Sequence, residues 1–253
     1  MLKKRIIPIQ LLQGQRLVKT REFSDPRDVG DPIKSAAVYN SQNADELIFL
    51  NIDRNSDRLD ELVRILPEVA KVCFMPLTVG GGISKWADAA RLFERGADKV
   101  VLNSATFKNY SIIEKIASRF GAQAVVVALD VYRRGSGTYE LASSFAKNPE
   151  KIDLRIHIKK CEECGAGEFF VQSVEREGSM AGFDLELFRL VCKASKIPVI
   201  GSGGAGHYEH LRSAFCETPV SAVACGSLFN FSDSNPLRAK AFLKNAGIPL
   251  KVI

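Results

Sequence analysis

Pro198–Gly206 reads PVIGSGGAG, and a stretch of the same kind stands at Pro76–Ile83, PLTVGGGI. A shift of 122 residues lays Pro76 on Pro198 and Gly81–Gly82 on Gly203–Gly204. Each is an apolar run ending in glycines, the pattern of a buried parallel strand before a turn whose backbone N–H groups approach an anion. Only glycine permits that approach and the φ angles it requires. The same shift carries Glu46–Arg54, ELIFLNIDR, onto Glu168–Arg176, EFFVQSVER, and Val101–Phe107, VLNSATF, onto Val223–Phe229, VACGSLF. A shift of 119 lays Arg5–Leu12, RIIPIQLL, over Ala124–Val131, AVVVALDV. Four strand-like segments recurring in order make an internal repeat, with half-barrels of about 1–122 and 123–253.

Working outward, strands are expected at Arg5–Leu12, Glu46–Asp53, Met75–Val79, Lys99–Leu102, Ala124–Asp130, Glu168–Ser173, Pro198–Ser202 and Ala222–Cys225. Helical stretches alternate with them; Asp57–Ala70 places Leu59, Leu62, Ile65 and Leu66 on one face. Eight parallel strands joined by right-handed crossovers predict a single α/β domain over 1–253, a (β/α)8 TIM barrel with two-fold half-barrel repeat. The polar segment Gln13–Pro32, which carries Lys19, is long enough to be a candidate mobile lid. Arg133–Phe145, RRGSGTYELASSF, reads as a small hairpin.

Net charge is +6, with a pI near 9.0. The basic residues are scattered among acids rather than gathered into a patch, so a nucleic-acid binder is not expected; solvated helix faces with a mild bias toward anionic substrates are. No apolar run approaches the roughly 18 residues of a membrane span, and the N-terminus lacks a signal peptide's cleavage pattern, so a cytoplasmic protein is expected. The six cysteines read as reduced; Cys161 and Cys164 form a CxxC near a helix end with no second pair, and His207 and His210 form an HxxH without a third ligand. No metal and no cofactor are expected. Trp86, Met75, Phe49, Phe74 and Phe169 read as core.

Active residues of such a barrel lie at the C-terminal strand ends. The first half supplies Gly82, Asn103 and Ser104, and the second supplies Gly178, Ser202, Gly203, Gly204, Gly226 and Ser227. Backbone amides and small polar side chains of this kind make phosphate cradles. Glycines that merely form turns are the competing reading. A substrate with a phosphate at each end would place its reacting centre over the first and fifth strands. Asp130 ends the fifth and can act as general acid or base, unless it serves as a helix cap or as the ion-pair partner of Arg133. Position 11, its counterpart in the repeat, is leucine.

Across the whole chain, RIIPIQLL, LTVGGGI, KVVLNSA, VVVALD, SVEREGSMAGFD and PVIGSGGAG resemble the cyclase subunit of imidazole glycerol phosphate synthase, of histidine biosynthesis. The resemblance implies a two-fold repeated barrel that takes ammonia from a glutaminase docked on its N-terminal face and closes an imidazole ring on a doubly phosphorylated substrate. It implies two catalytic aspartates; the second matches Asp130, while the first falls on Leu11 in PIQLLQGQRLVK, where the family pattern has aspartate. It further implies an ammonia entrance of Arg5, Glu46, Lys99 and Glu168, a channel position at Thr78, and a glutaminase contact at Asp98. Lys19 is retained in the catalytic set, in keeping with a lid over a phosphorylated ligand, and the acidic pair after the sixth strand stands as Glu175 and Glu177.

An entrance kept while one acid is lost resembles a divergent branch of the family, associated with acetamidino sugars of lipopolysaccharide O-antigens and flagellin glycans; LLQGQRLVKT is similar to its first-strand pattern. That branch implies amidation of a sugar precursor, with a glutaminase subunit in a heterodimer and a separate ATP-dependent amidotransferase, since the chain shows no P-loop. The alternatives are an authentic cyclase in which another group replaces the lost acid, and a scaffold that only activates the glutaminase.

Overall fold

The computed structural model describes residues 3–54, 58–135, 137–143 and 148–251, with backbone alone at 58 and 148. Twelve strands are found among them: β1 (Arg5–Gln13), β2 (Arg16–Arg21), β3 (Ser24–Gly30), β4 (Leu47–Asn51), β5 (Leu77–Gly80), β6 (Lys99–Leu102), β7 (Val125–Arg133), β8 (Tyr139–Ser143), β9 (Asn148–Pro149), β10 (Glu168–Ser173), β11 (Val199–Ser202) and β12 (Ala222–Cys225). Eight of these pair in parallel in the order β1, β4, β5, β6, β7, β10, β11, β12, and β12 pairs with β1 again. The sheet is therefore closed, a (β/α)8 TIM barrel, and the crossovers carry the helices α1 (Pro32–Ser41), α2 (Arg58–Ala70), α3 (Trp86–Phe93), α4 (Ser104–Lys108), α5 (Ser111–Phe120), α6 (Leu154–Glu163), α7 (Leu185–Ala194), α8 (Tyr208–Glu217), α9 (Ser227–Asn230) and α10 (Pro236–Asn245). The predicted start of the second helix at Asp57 and the end of the hairpin at Phe145 lie outside the described residues.

Strand alternation sorts the core into two layers. Ile7, Ile9, Leu11, Ile48, Val101, Val126, Ala128, Phe170 and Ile200 fill the barrel interior, while Ile6, Leu12, Phe49, Val127, Phe169 and Val223 pack outward against the helices. Each fully buried side chain of this size stabilises the fold by about 1.5–3 kcal/mol. Caps set the helix starts: Asp31 accepts from the Ile33 and Lys34 amides, Asp153 from Arg155 and Ile156, and Asp184 from Leu187.

Three expectations are corrected. Gln13–Pro32 is not an unstructured lid: β2 and β3 form an antiparallel ribbon that continues β1, with Leu11 opposite Val18 and Gln13 opposite Arg16. Its backbone finds partners within the ribbon, as a long segment beside a barrel mouth must. The 122-residue shift fails at the last strand pair. Val101 faces the interior, as does Ala224, whereas Val223 faces the helices, so β6 and β12 correspond at a shift of 123. One residue of slip exchanges the two faces of a strand; Ser104 thereby matches Ser227, the first residue of α9, rather than Gly226. Finally, Phe74 is 82% exposed and Trp86 is exposed rather than core. Phe74 sits in the turn before β5 with its amide held by the Asn40 side chain at 2.9 Å, and Trp86 opens α3 with the Arg119 guanidinium 5.5 Å from its ring.

Candidate active site

A cavity of about 580 Å³ lies at the C-terminal strand ends. All nine residues expected to cradle phosphate line it: Gly82, Asn103 and Ser104 on one side, and Gly178, Ser202, Gly203, Gly204, Gly226 and Ser227 on the other. The glycines are required by close approach. At Gly81 (φ +111°) an added Cβ would stand 2.2 Å from the Asn51 carbonyl oxygen, and at Gly204 (φ +108°) 2.1 Å from that of Gly182. Asn103 and Gly226 immediately precede the short helices α4 and α9. The Ser227 hydroxyl is buried in the cavity wall and has no hydrogen-bond partner among the described residues.

Asp130 lines the same cavity from β7, and Asn103 Nδ2 donates to its Oδ2 at 2.6 Å. Burial pushes its carboxyl up to about 7, opposed by the Asn103 hydrogen bond. It neither caps a helix nor pairs with Arg133, which instead meets Glu186 at 2.7 Å. β1 stands four strands from β7 in the closed order, hence across the barrel, and Leu11 on β1 points inward among the apolar interior and lines the cavity. The carboxylates lining the cavity among the described residues are Asp130, Glu150 and Glu177. Glu150 is engaged by Ser143 on β8, so none of the three takes Leu11's place on β1.

Lys19 does not ride a mobile loop. It is 5% exposed on β2, ion-paired with Glu177, which is 2% exposed and also accepts from the Thr20 hydroxyl at 3.1 Å and the Phe23 amide at 3.2 Å. The Lys19 side chain crosses over Gly226; a Cβ there would lie 2.6 Å from Lys19 Cε. The acidic pair expected after the sixth strand is split: Glu177 faces the cavity, and Glu175 accepts from the Arg133 amide at 2.6 Å. The Lys19–Glu177 contact joins residues 158 apart in sequence and had no local signal.

At the opposite end of the barrel four charges form a closed circuit. Arg5 donates to Glu46 at 2.7 Å and to Glu168, while Lys99 meets Glu46 at 3.0 Å and Glu168 at 3.1 Å. Thr78, fully buried, donates its hydroxyl to Glu46 from within. The Asp98 carboxylate is exposed and accepts from the Leu77 amide at 2.7 Å. Away from the cavity, the His207 and His210 rings lie tilted at 35° to one another with centroids 3.5 Å apart, and His210 Nδ1 accepts from the Gly206 amide at 3.1 Å. Burial raises the thiols of both Cys161 and Cys164. Among the described residues no group of three or more His, Cys, Asp or Glu could hold a metal ion, and no helix is long and apolar enough to cross a membrane.

Glycine turns, small polar side chains and a near-neutral carboxyl at the C-terminal strand ends define a (β/α)8-barrel enzyme. Residues 5–235 match the histidine biosynthesis protein family, to which the chain belongs. It is a barrel enzyme of that family.

Proposed function

We propose that this chain is the ammonia-using barrel subunit of a glutamine-dependent amidation system, receiving ammonia from a glutaminase subunit and using it in amidation of a sugar precursor for lipopolysaccharide or another surface glycan. The observation that carries this reading is the pair across the cavity: an inward-facing Leu11 where ring closure calls for a second acid, and Asp130 with its carboxyl near 7. Leucine transfers no proton, and the loss of one of two acid–base groups costs on the order of 10²–10⁴ in rate. Asp130, close to half-ionised at neutral pH, can accept a proton from an attacking nitrogen or return one to a leaving oxygen. The charged circuit of Arg5, Glu46, Lys99 and Glu168 supports an entrance for ammonia at the N-terminal face, with Thr78 behind it and Asp98 toward the glutaminase. The two glycine-lined flanks suit a small phosphorylated substrate. Activation of the carbon to be aminated is assigned to a separate ATP-dependent amidotransferase.

Family membership is equally compatible with a second reading, an authentic cyclase of histidine biosynthesis. The two are separated by supplying the purified chain with ammonium salt and phosphoribulosyl-formimino aminoimidazole carboxamide ribonucleotide. Amidation predicts a rate at least about 10²-fold below an ordinary enzyme's roughly 10 s⁻¹, rising when Leu11→Asp returns the second carboxyl. Turnover near 10 s⁻¹ by the unaltered chain overturns the proposal. Nitrogen transfer to a sugar nucleotide in the presence of both partners, lost in Asp130→Asn, excludes a mere scaffold.

A further inference from the structure

At the C-terminal strand ends the cavity wall divides by strand. On β12, β1 and β4 the inward side chains are Ala224, Ile9, Leu11 and Leu50, all apolar. Across the barrel the inward residues nearest the C-terminal strand ends are Asn103, Asp130, Gln172 and Ser202, all polar, with the apolar Val101, Ala128 and Phe170 two residues earlier in the chain beneath the first three. Gln172 is in register with Asp130 on one side and Ser202 on the other, and neighbouring strands about 4.8 Å apart put such side chains in reach of one another. Gln172 is 7% exposed, and among the described residues its Oε1 has no hydrogen-bond partner; neither has Oδ1 of Asn103, whose Nδ2 donates to Asp130.

A buried acceptor left without a donor is costly, since it has given up water and gained nothing in exchange. Two of them stand beside a carboxyl whose environment is set by burial and Asn103, with no cation contributing among the described residues. The cations lining the cavity among the described residues are Lys19, tied to Glu177, and Lys108 on α4. An acceptor-rich, cation-poor corner suits a group that brings several N–H donors and a positive charge. Phosphate, which brings acceptors and negative charge, belongs at the glycine flanks instead.

We propose that Gln172, Asn103 and Asp130 form a seat for a small N–H-rich cation, ammonia in its ammonium form or a primary amine. Gln172 is then a binding residue for the nitrogen rather than part of the wall. This deepens the amination reading and takes its biological meaning from it, but it is tested on the purified chain alone.

The Asp130 carboxyl is followed by carbon-13 NMR through a pH titration in ammonium chloride and in potassium chloride at matched ionic strength. A cation held against the carboxyl lowers its proton affinity, so its midpoint should fall by about one pH unit, a tenfold change, in ammonium relative to potassium. Gln172→Leu and the near-isosteric Gln172→Met should abolish the difference while leaving circular dichroism and inorganic phosphate binding unchanged. Methylammonium separates two sources of the same chemistry. Ammonium alone acting indicates a seat for incoming ammonia, and both acting indicates a seat for a substrate amine. An equal effect of potassium, a difference that survives in Gln172→Met, or loss of phosphate binding in that variant overturns the seat. If the seat is found but no sugar amidation occurs with both partners, the amidation reading fails alone. If Gln172→Met supports amidation at an unchanged KM for ammonium, the seat fails alone.

Discussion

Replacing Asp130 by asparagine should stabilise this protein in a pH-dependent way while disabling it. The carboxyl titrates near 7 in the folded chain and near about 3.9 when unfolded. That difference of roughly three pH units, at 1.36 kcal/mol each, is worth at most about 4 kcal/mol. Below the unfolded value the carboxyl is protonated in both states and costs nothing. Between about 3.9 and 7 the unfolded chain ionises freely while the folded carboxyl stays protonated, and above about 7 the folded chain must hold a charge in a place that disfavours it, so this group's stability is full in acid, falls across that window and is gone above neutrality. The asparagine Oδ1 can still accept from Asn103, so only the titration disappears. Because the carboxyl faces an open cavity, solvent screening reduces the expected gain to about 2–4 kcal/mol near pH 8, or roughly 5–15 °C in Tm for a chain of this size. Near pH 4 the two proteins should be equally stable. Urea denaturation of both across this range measures the difference directly, and nitrogen-transfer activity should fall by about 10²–10⁴. A stability difference that is flat with pH, or an asparagine variant less stable in base, would refute the account of Asp130.

Lys19→Met should destabilise the fold by about 3–5 kcal/mol, because it strands Glu177 in a buried place. Lys19→Met combined with Glu177→Met should recover most of that loss, and a double-mutant cycle by denaturation reads the coupling. Gly204→Ala forces a side chain into the left-handed region and against the Gly182 carbonyl, and should cost more than the about 1–3 kcal/mol of backbone strain alone. Gly14→Ala, at φ +57° with open space around it, is the control and should cost about 1 kcal/mol in the same thermal or urea measurement.

The barrel was legible because its strands are written locally. An apolar run ending in glycine, as at Leu77–Gly82 and Val199–Gly204, needs no distant residue to be recognised. The inward direction of Leu11 and Asp130 also followed from position, since alternation along a strand decides which side chains face the interior. The four charges at the lower end could be named as a set, although which oxygen meets which nitrogen could not. Other features depended on contacts between distant segments. Whether Gln13–Pro32 is a loose loop or a ribbon depends on whether β1 continues far enough to pair with it, and the Lys19–Glu177 bond depends on the barrel closing to bring β2 over β10. The extra residue of shift at β12 was hidden for a related reason: matching letters cannot tell an inward valine from an outward one, and only a closed interior makes the two differ in energy. Sequence alone therefore determined the strands, their glycine turns and the residues at their ends, because these are consequences of local conformation and period. The tertiary structure decided the partners of Lys19, the environment that lifts Asp130, and the Gln172 Oε1 that has no partner among the described residues, because each is set by what burial brings near and by what it leaves without a partner.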